Sequence, residues 1–365
     1  MLVARDIRSL AGNPRIETSG CAVTLGNFDG VHLGHRALLR KTLASARELG
    51  LPAAAVTFDP HPLRLLRGEN APPQLISLQG KLDCFEQLGM DAALVLPFTR
   101  EIAAMPPEAF VRAVLLDALH TRALVVGYDY AFGRDRRGNA ALLNELGRLH
   151  GFCVEEAPAL LKGGEPVSST RIRALLREGD VVGAARLLGR PYSAEGVVEH
   201  GKARGGSLLG FPTANLRPDA GILLPKHGVY AVTVEIDARS EKQAGEACPA
   251  RAGEGGRLPL PDSSWQSPDT LCRRMLRGVA NVGVNPTFGD GFARVEAHIL
   301  HFNGDLYGVP LKVHFLQRIR DERKFASVDE LAARIRQDAR EAETMIDADT
   351  ALPARCQSAS KIEPA

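Results

Sequence analysis

The sequence predicts an α/β domain built on a parallel sheet, followed by a small antiparallel β domain closed by one helix. Three observations carry that expectation. The first half alternates short apolar runs with helical patterns, Gly189-Arg190-Pro191 breaks the pattern, and the strands that follow are separated by Gly and Pro. Strand–helix alternation implies a parallel sheet covered on both faces. Closely spaced strands imply a small antiparallel barrel or sandwich. At 365 residues the chain is long enough for two or three domains. The expected division is residues 1–189 and residues 190–347, with a disordered tail over residues 348–365.

The elements follow in order. Ala22–Leu25 reads as a buried strand, and residues 35–49 carry apolar positions at helical spacing that stop at Gly50. Ala53–Phe58 is the next strand, residues 78–88 the next helix, then a strand at Ala92–Leu96, a helix at Pro107–Ala118 and a strand at Ala123–Gly127. Sheets of this kind bind ligands beyond the C-terminal ends of their strands. Ala174–Leu188 reads as a helix. Beyond the break, strands are expected at 194–200, 227–236, 278–284, 293–302 and 310–318. The closing helix runs from Val328 to about Ile346, with Ser327 and Glu330 as an S-x-x-E capping box. Residues 238–274, rich in Gly, Pro, Ser, Glu and Arg, read as a mobile surface loop joining two strands, and they hold the only tryptophan, Trp265.

Composition narrows the function classes. The chain is 45% hydrophobic and 24% charged, as an ordinary globular protein is. A net charge of +2 argues against a nucleic-acid partner held by bulk electrostatics. No apolar run reaches the length of a membrane span, so no membrane association is expected. The N-terminal MLVARDIRSLAGNPR lacks the apolar core of a signal peptide. The six cysteines are scattered without a C-x-x-C, which fits a reducing cytoplasm better than a disulfide framework or zinc site.

The first chemical signal is Leu25-Gly26-Asn27-Phe28-Asp29-Gly30-Val31-His32-Leu33-Gly34-His35, between the first strand and the first helix. His32 and His35 are three residues apart, so a first helical turn sets them side by side. A helix N-terminus favours phosphate through its free N–H groups and its dipole, and Gly34 removes a side chain where a triphosphate must approach. Two imidazoles with backbone donors suit the charge of an α-phosphate and a leaving pyrophosphate. The bland alternative is a pair of surface histidines beside a tight turn. Three segments join this one: Thr57-Phe58-Asp59-Pro60-His61-Pro62, Gly127-Tyr128-Asp129-Tyr130-Ala131-Phe132-Gly133, and Ser168-Ser169-Thr170-Arg171-Ile172-Arg173 at a helix start. Hydroxyls, amides and Arg171 suit polyphosphate oxygens there; a plain N-cap with surface arginines is the alternative.

The second half carries Gly201-Lys202-Ala203-Arg204-Gly205-Gly206-Ser207-Leu208-Leu209-Gly210-Phe211-Pro212-Thr213-Ala214-Asn215-Leu216. It is Gly-rich and basic, as a phosphate-cradling loop is, although glycine content alone fits a tight β-turn equally. Glu296 lies in an otherwise apolar strand pattern, where an unpaired charge is costly. It is either a solvent-facing strand residue or a positioned base.

With these motifs in this order, the sequence from about residue 14 to residue 345 resembles the prokaryotic bifunctional riboflavin kinase/FAD synthetase family. The resemblance implies an α/β N-terminal Rossmann-like nucleotidyltransferase domain plus a C-terminal small antiparallel β-barrel with a terminal helix. It implies ATP-dependent phosphorylation of riboflavin to FMN, then adenylylation of FMN to FAD. On that basis His32, His35 and Arg171 act on the ATP phosphates. Gly26, Asn27, Asp29, Gly34, Ser168, Thr170, Lys202 and Gly210 shape the nucleotide and phosphate sites, and Phe58, His61, Asp129 and Arg320 lie near flavin. Thr213 and Asn215 coordinate Mg²⁺ with ATP, and Glu296 is the base for the riboflavin 5′-hydroxyl. The resemblance further implies riboflavin, FMN, FAD and ATP as partners, flavins as substrate and product, a cytoplasmic location, and a monomer or weak homo-oligomer. The chain departs from the family pattern at Tyr130, where a Phe is usual, and in the glycine loop, which reads R-G-G-S-L-L-G-F-P instead of R-G-R-x-L-G-F-P. An FAD synthetase with a weak kinase half therefore stays open as an alternative.

Overall fold

The computed structural model describes residues 1–8, 14–199, 213–219, 221–237, 273–284, 293–302 and 304–350. The expected loop at 238–274, apart from residues 273 and 274, and Trp265 with it, lies outside the described residues, as do Lys202 and Gly210 and the tail beyond residue 350. The chain forms two compact units, Met1–Ser169 and Thr170–Ala365.

The first unit is built on six strands: β1 (Leu2–Ala4), β2 (Cys21–Leu25), β3 (Ala53–Asp59), β4 (Ala92–Pro97), β5 (Thr121–Gly127) and β6 (Cys153–Ala157). They lie in the order β1-β4-β3-β2-β5-β6, every pair parallel. All of β2 is buried, as a central strand of a doubly covered sheet must be. Period-two alternation sends its side chains to both faces. Val23 and Leu25 join Leu94, Leu124, Val114 and Leu115 on one side, while Ala22 joins Val95, Val125, Leu39 and Phe85 on the other. Helices cover both faces: α1 (Pro14–Ser19), α2 (Leu33–Leu49), α3 (Pro62–Arg67), α4 (Leu78–Leu88), α5 (Arg100–Ala104), α6 (Pro107–Phe110) and α7 (Ala140–His150). Helix α6 opens into a wider π-helical stretch, Val111–Ala118, so the helix expected over 107–118 is present with a changed pitch. Chain order reverses at β2, with β3 on one side and β5 on the other, which opens a crevice at their C-terminal ends. The loop from β2 into α2 crosses that crevice.

A two-stranded ribbon, β7 (Leu161–Lys162) with β8 (Glu165–Pro166), precedes α8 (Ser169–Glu178) and α9 (Val181–Leu188). The single helix expected over Ala174–Leu188 is therefore two. Gly179 sits at φ 88°, a left-handed conformation that ends α8. Asp180 then starts α9, its Oδ1 accepting from the Gly183 N–H at 2.7 Å. Replacing Asp180 by Ala is expected to lower stability by about 1 kcal/mol, read as a lower urea midpoint with an unchanged slope. The division between the units falls ahead of the boundary expected at residue 189, because α9 packs on the strands that follow it.

The second unit is a closed six-stranded barrel with strands in the order β10-β13-β12-β11-β14-β9. They are β9 (Tyr192–Glu199), β10 (Thr213–Pro218), β11 (Gly228–Asp237), β12 (Arg273–Val284), β13 (Ala293–Ile299) and β14 (Pro310–Arg320). Antiparallel pairing of β9 with both β14 and β10 closes it. The barrel-or-sandwich choice thus resolves to a barrel, and β10 is the strand that the sequence pattern did not announce. Inside, Tyr230 meets Phe315 edge-on at 5.4 Å and Tyr192 stacks near it at 6.4 Å. Both buried phenols donate to main-chain oxygens, Tyr192 to Leu223 and Tyr230 to Lys226. Helix α10 (Val328–Thr350) packs Ala342 and Ile346 on Ala231. Ser327 caps it as expected, accepting from the Glu330 N–H at 3.1 Å, while Glu330 reaches back to the Ala326 N–H at 3.0 Å.

Candidate active sites

In the first unit the site grows from the β2–α2 loop. Phe28 (φ 48°) and Val31 (φ 39°) both sit at positive φ, a strained conformation for side-chain-bearing residues. Their buried side chains fold the loop back over the strand ends. His32 caps α2, its Nδ1 accepting from the His35 N–H at 3.3 Å. That contact leaves the His32 proton on Nε2, a donor. The two imidazoles stack with ring centroids 3.6 Å apart and 17° between planes, so the spacing argument is met with the rings face to face. Burial, then His32, then Lys81 hold the His35 imidazole well below the usual histidine range, so it is neutral at pH 7. His35 Nδ1 is sealed from solvent and has no hydrogen-bond partner among the described residues. A buried polar atom left open this way needs a partner from a ligand or water.

The glycines have local reasons as well. A Cβ on Gly34 would lie 3.2 Å from the His32 ring, and one on Gly26 would lie 3.1 Å from the Phe28 ring. Gly34 thus makes room for the imidazole as well as for a ligand. Asn27 is exposed at the crevice, and its carbonyl oxygen accepts from Thr57 Oγ1 at 3.4 Å. Asp29 is buried and accepts the Leu75 N–H at 2.8 Å, while its own carbonyl oxygen accepts from Ser169 Oγ at 2.8 Å. It straps two neighbouring segments to the loop. Ser168 is half-buried just before α8, and Thr170 and Arg171 lie in that helix's first turn, at the head of the second unit.

Of the expected flavin residues, Phe58 ends β3 against Phe98, edge-on at 5.5 Å, and buried His61 caps α3 by accepting the Leu63 N–H at 3.2 Å. Asp129 is exposed beyond the end of β5. Tyr130 stacks on Phe132 at 5.6 Å, and burial pushes its phenol up. A residue that sequence reasoning passed over is Lys81, 5% exposed on α4, whose ammonium donates to Thr57 Oγ1 at 3.2 Å.

In the barrel, register builds a polar row across four strands. Glu199 of β9 pairs with Asn215 of β10, Asn215 with Glu296 of β13, and Glu296 with Asn281 of β12. Directly paired residues share a sheet face. The alternate residues Leu216, Val295 and Ala297 are buried on the opposite face, so the row stands outside the barrel core. Thr213, two residues from Asn215, shares its face. Thr213 also lines a cavity of about 330 Å³ with Ala297, Ile299, Phe302, Asp305 and Tyr307. Asn281 Nδ2 donates to Glu322 Oε1 at 2.9 Å, and its Oδ1 is buried without a hydrogen-bond partner among the described residues. A Cβ on Gly283 would fall 2.1 Å from the Glu322 carboxylate, which is why glycine stands there.

Arg320 is tied to its own unit. Its Nε and Nη2 donate to the buried Asp338 carboxylate at 2.7–3.1 Å, and its Nη1 to the Asp321 carbonyl oxygen at 3.0 Å. Those bonds make it an anchor between β14 and α10, with Arg334 closing on the same Asp338 at 2.8 Å.

Two candidate sites thus stand on two separate units, one at a parallel-sheet crevice and one on a barrel face. Comparison with known proteins gives the same division. An FAD synthetase family model matches residues 15–171 and a riboflavin kinase model matches residues 188–346. A Haemophilus influenzae protein named bifunctional riboflavin kinase/FMN adenylyltransferase is 35% identical over 91% of this chain and 96% of its own length. A Pseudomonas fluorescens protein of the same name is 38% identical over 89% of this chain and 93% of its own. A crystal structure described as a macrolide-efflux protein from Streptococcus pneumoniae superposes with a TM-score of 0.74 at 29% identity, covering 94% of this chain and 98% of that one. Among the described residues no helix is long and apolar enough to cross a membrane. The chain belongs to the bifunctional riboflavin kinase/FMN adenylyltransferase family.

Proposed function

We propose that this chain makes FMN from riboflavin on the barrel and FAD from FMN on the parallel-sheet unit, consuming one ATP at each site. The observation that carries the reading is that one chain holds both sets of groups. These are the stacked His32–His35 pair at the head of α2 and the Asn215–Glu296–Asn281 row on the barrel. In the kinase step Glu296 takes the proton of the riboflavin 5′-hydroxyl while that oxygen bonds to the γ-phosphorus. The bond from γ-phosphorus to the β,γ-bridging oxygen breaks, and ADP leaves. The cavity beside Thr213 has the size of a small-molecule site and receives the nucleotide. Asn281 Oδ1 is an open acceptor next to Glu296 for a ribityl hydroxyl.

In the second step an FMN phosphate oxygen bonds to the α-phosphorus of ATP and pyrophosphate leaves. The nucleophile is already anionic, so no general base is needed. Alignment and charge neutralisation by His32, His35, the α2 N–H groups and Ser168 supply the rate. Gly26, Asn27 and Asp29 shape the nucleotide side of this site, and Phe58, His61 and Asp129 the flavin side.

Mg²⁺ fits the donors of the barrel. Thr213 and Asn215 offer neutral oxygens on one face, beside Glu296. No group of three or more His, Cys, Asp or Glu side chains suited to a metal occurs among the described residues. That set suits a hard cation that keeps phosphate and water ligands, and Mg²⁺ when bound would neutralise charge on the transferring phosphate. We place the protein in the cytoplasm, where ATP is supplied.

The test is a time course with riboflavin, ATP and Mg²⁺, the flavins separated by chromatography. FMN appearing before FAD supports the reading. FAD from added FMN, with no product from riboflavin, would leave only the adenylyl transfer.

A further inference from the structure

Lys81 sits at the fourth position of α4, where the helix is buried against the sheet, and Leu82 and Phe85 beside it are core residues. An ammonium has three donors. Lys81 uses one, toward Thr57 Oγ1 at 3.2 Å, and among the described residues it closes no ion pair. Asp29 and Asp59 are near enough to favour its charge. A cation 5% exposed without an ion-pair partner is costly to bury, and a leucine at such a position would pack without that penalty. The ammonium is placed where an anion would belong. Thr57 lies two residues before the end of β3, and its hydroxyl donates onward to the Asn27 carbonyl oxygen at 3.4 Å. The side chain is therefore linked through Thr57 to the β2–α2 loop, and its charge acts on His35.

We propose that Lys81 is a phosphate-binding residue of the adenylyl transfer site, its ammonium receiving a phosphate group of one of the two substrates beside His32 and His35. This rests on the adenylyltransferase reading above. Burial pushes the Lys81 ammonium down to about 8, with Asp29 and Asp59 pulling the other way. The charge that holds the phosphate is therefore present at neutral pH and is lost as pH rises through that value. The charged and titratable groups that act with it are Asp29 from the β2–α2 loop, Asp59 from the end of β3, and His35 from α2. His35 is already neutral over this range.

The test compares the wild-type chain with Lys81→Met and Lys81→Arg, measuring kcat and KM for ATP and for FMN in FAD formation from neutral pH upward. FMN formation from riboflavin in the same samples checks that the chain is folded. Lys81→Met is expected to raise one KM by about tenfold or more, the loss of a charged hydrogen bond, and Lys81→Arg to recover most of it. A raised KM for FMN identifies the FMN phosphate as the ligand; a raised KM for ATP identifies the polyphosphate. The wild-type kcat/KM should fall above pH 8, and Lys81→Met should lack that fall. Where Lys81→Met also loses kinase activity, Lys81→Gln replaces it, with the same expectation. Wild-type FAD formation with both KM values and the pH profile unchanged in the Met or Gln variant overturns this inference alone. A wild-type chain that makes no FAD from FMN overturns the functional reading and this inference with it.

Discussion

His32→Ala is expected to slow FAD formation from FMN by about 10²–10³-fold, the usual effect of removing one donor aimed at developing charge, while FMN formation from riboflavin continues. The ring sits in the stacked pair, and its Nδ1 accepts from the His35 N–H, which leaves the proton on Nε2. It also caps α2, so the alanine variant loses about 1 kcal/mol of stability as well. His32→Asn separates the two effects. Asparagine is a good helix cap but lacks the ring, so stability should return and the slow adenylylation should not. Chromatography of flavins, with melting curves of both variants, reads the difference. Recovery of FAD formation in His32→Asn would mean that the cap, and not the imidazole, is what the reaction needs.

Glu296→Gln is expected to have the reverse pattern, with FMN formation down by about 10²–10⁴-fold, the range for a general base, and FAD formation from supplied FMN unchanged. The substitution keeps size and hydrogen-bonding capacity and removes only the basic oxygen. Glu296 is half-buried in a row of polar partners, so the fold should tolerate the change. The same chain supplies its own control, because the adenylylation rate reports on folded protein. A Gln variant that loses both reactions while still folded would show that the two sites are not independent.

Much of this was legible in the sequence because local signals agreed with one another. The β2–α2 segment has a buried run, a tight glycine turn and a helix start, and the structure keeps all three. The closing helix announced itself through Ser327 and Glu330. What stayed hidden depends on contacts distant in sequence. Lys81 reads as one more charged residue in an amphipathic helix until β3 and the β2–α2 loop are folded over it. Glu322 reaches Asn281, and Asp338 takes Arg320, across separations that no spacing rule covers. β10 was overlooked because Thr213–Pro218 was read for its motif and not for its alternation. The split between α8 and α9 was there to be read, since Gly179-Asp180 followed by Gly183 is a stop and an N-cap in sequence.

The polar row on the barrel runs across the seam where β9 meets β10, the pairing that turns a ribbon of strands into a ring. A barrel opened at that seam separates Glu199 from Asn215 and loosens Asn215 from Glu296. Opening there leaves β10, with Thr213 and Asn215, as an edge strand held by β13 alone, so the proposed kinase activity on heating should vanish as β10 frays from β13. The histidine pair has another kind of security. It belongs to one loop and one helix over a central strand, while the sheet's edge strands lie apart from β2, with β4 and β3 between it and β1 and with β5 between it and β6. Fraying at those edges leaves it in place, so one chain holds one site that a single opened seam exposes and another that outlasts local damage.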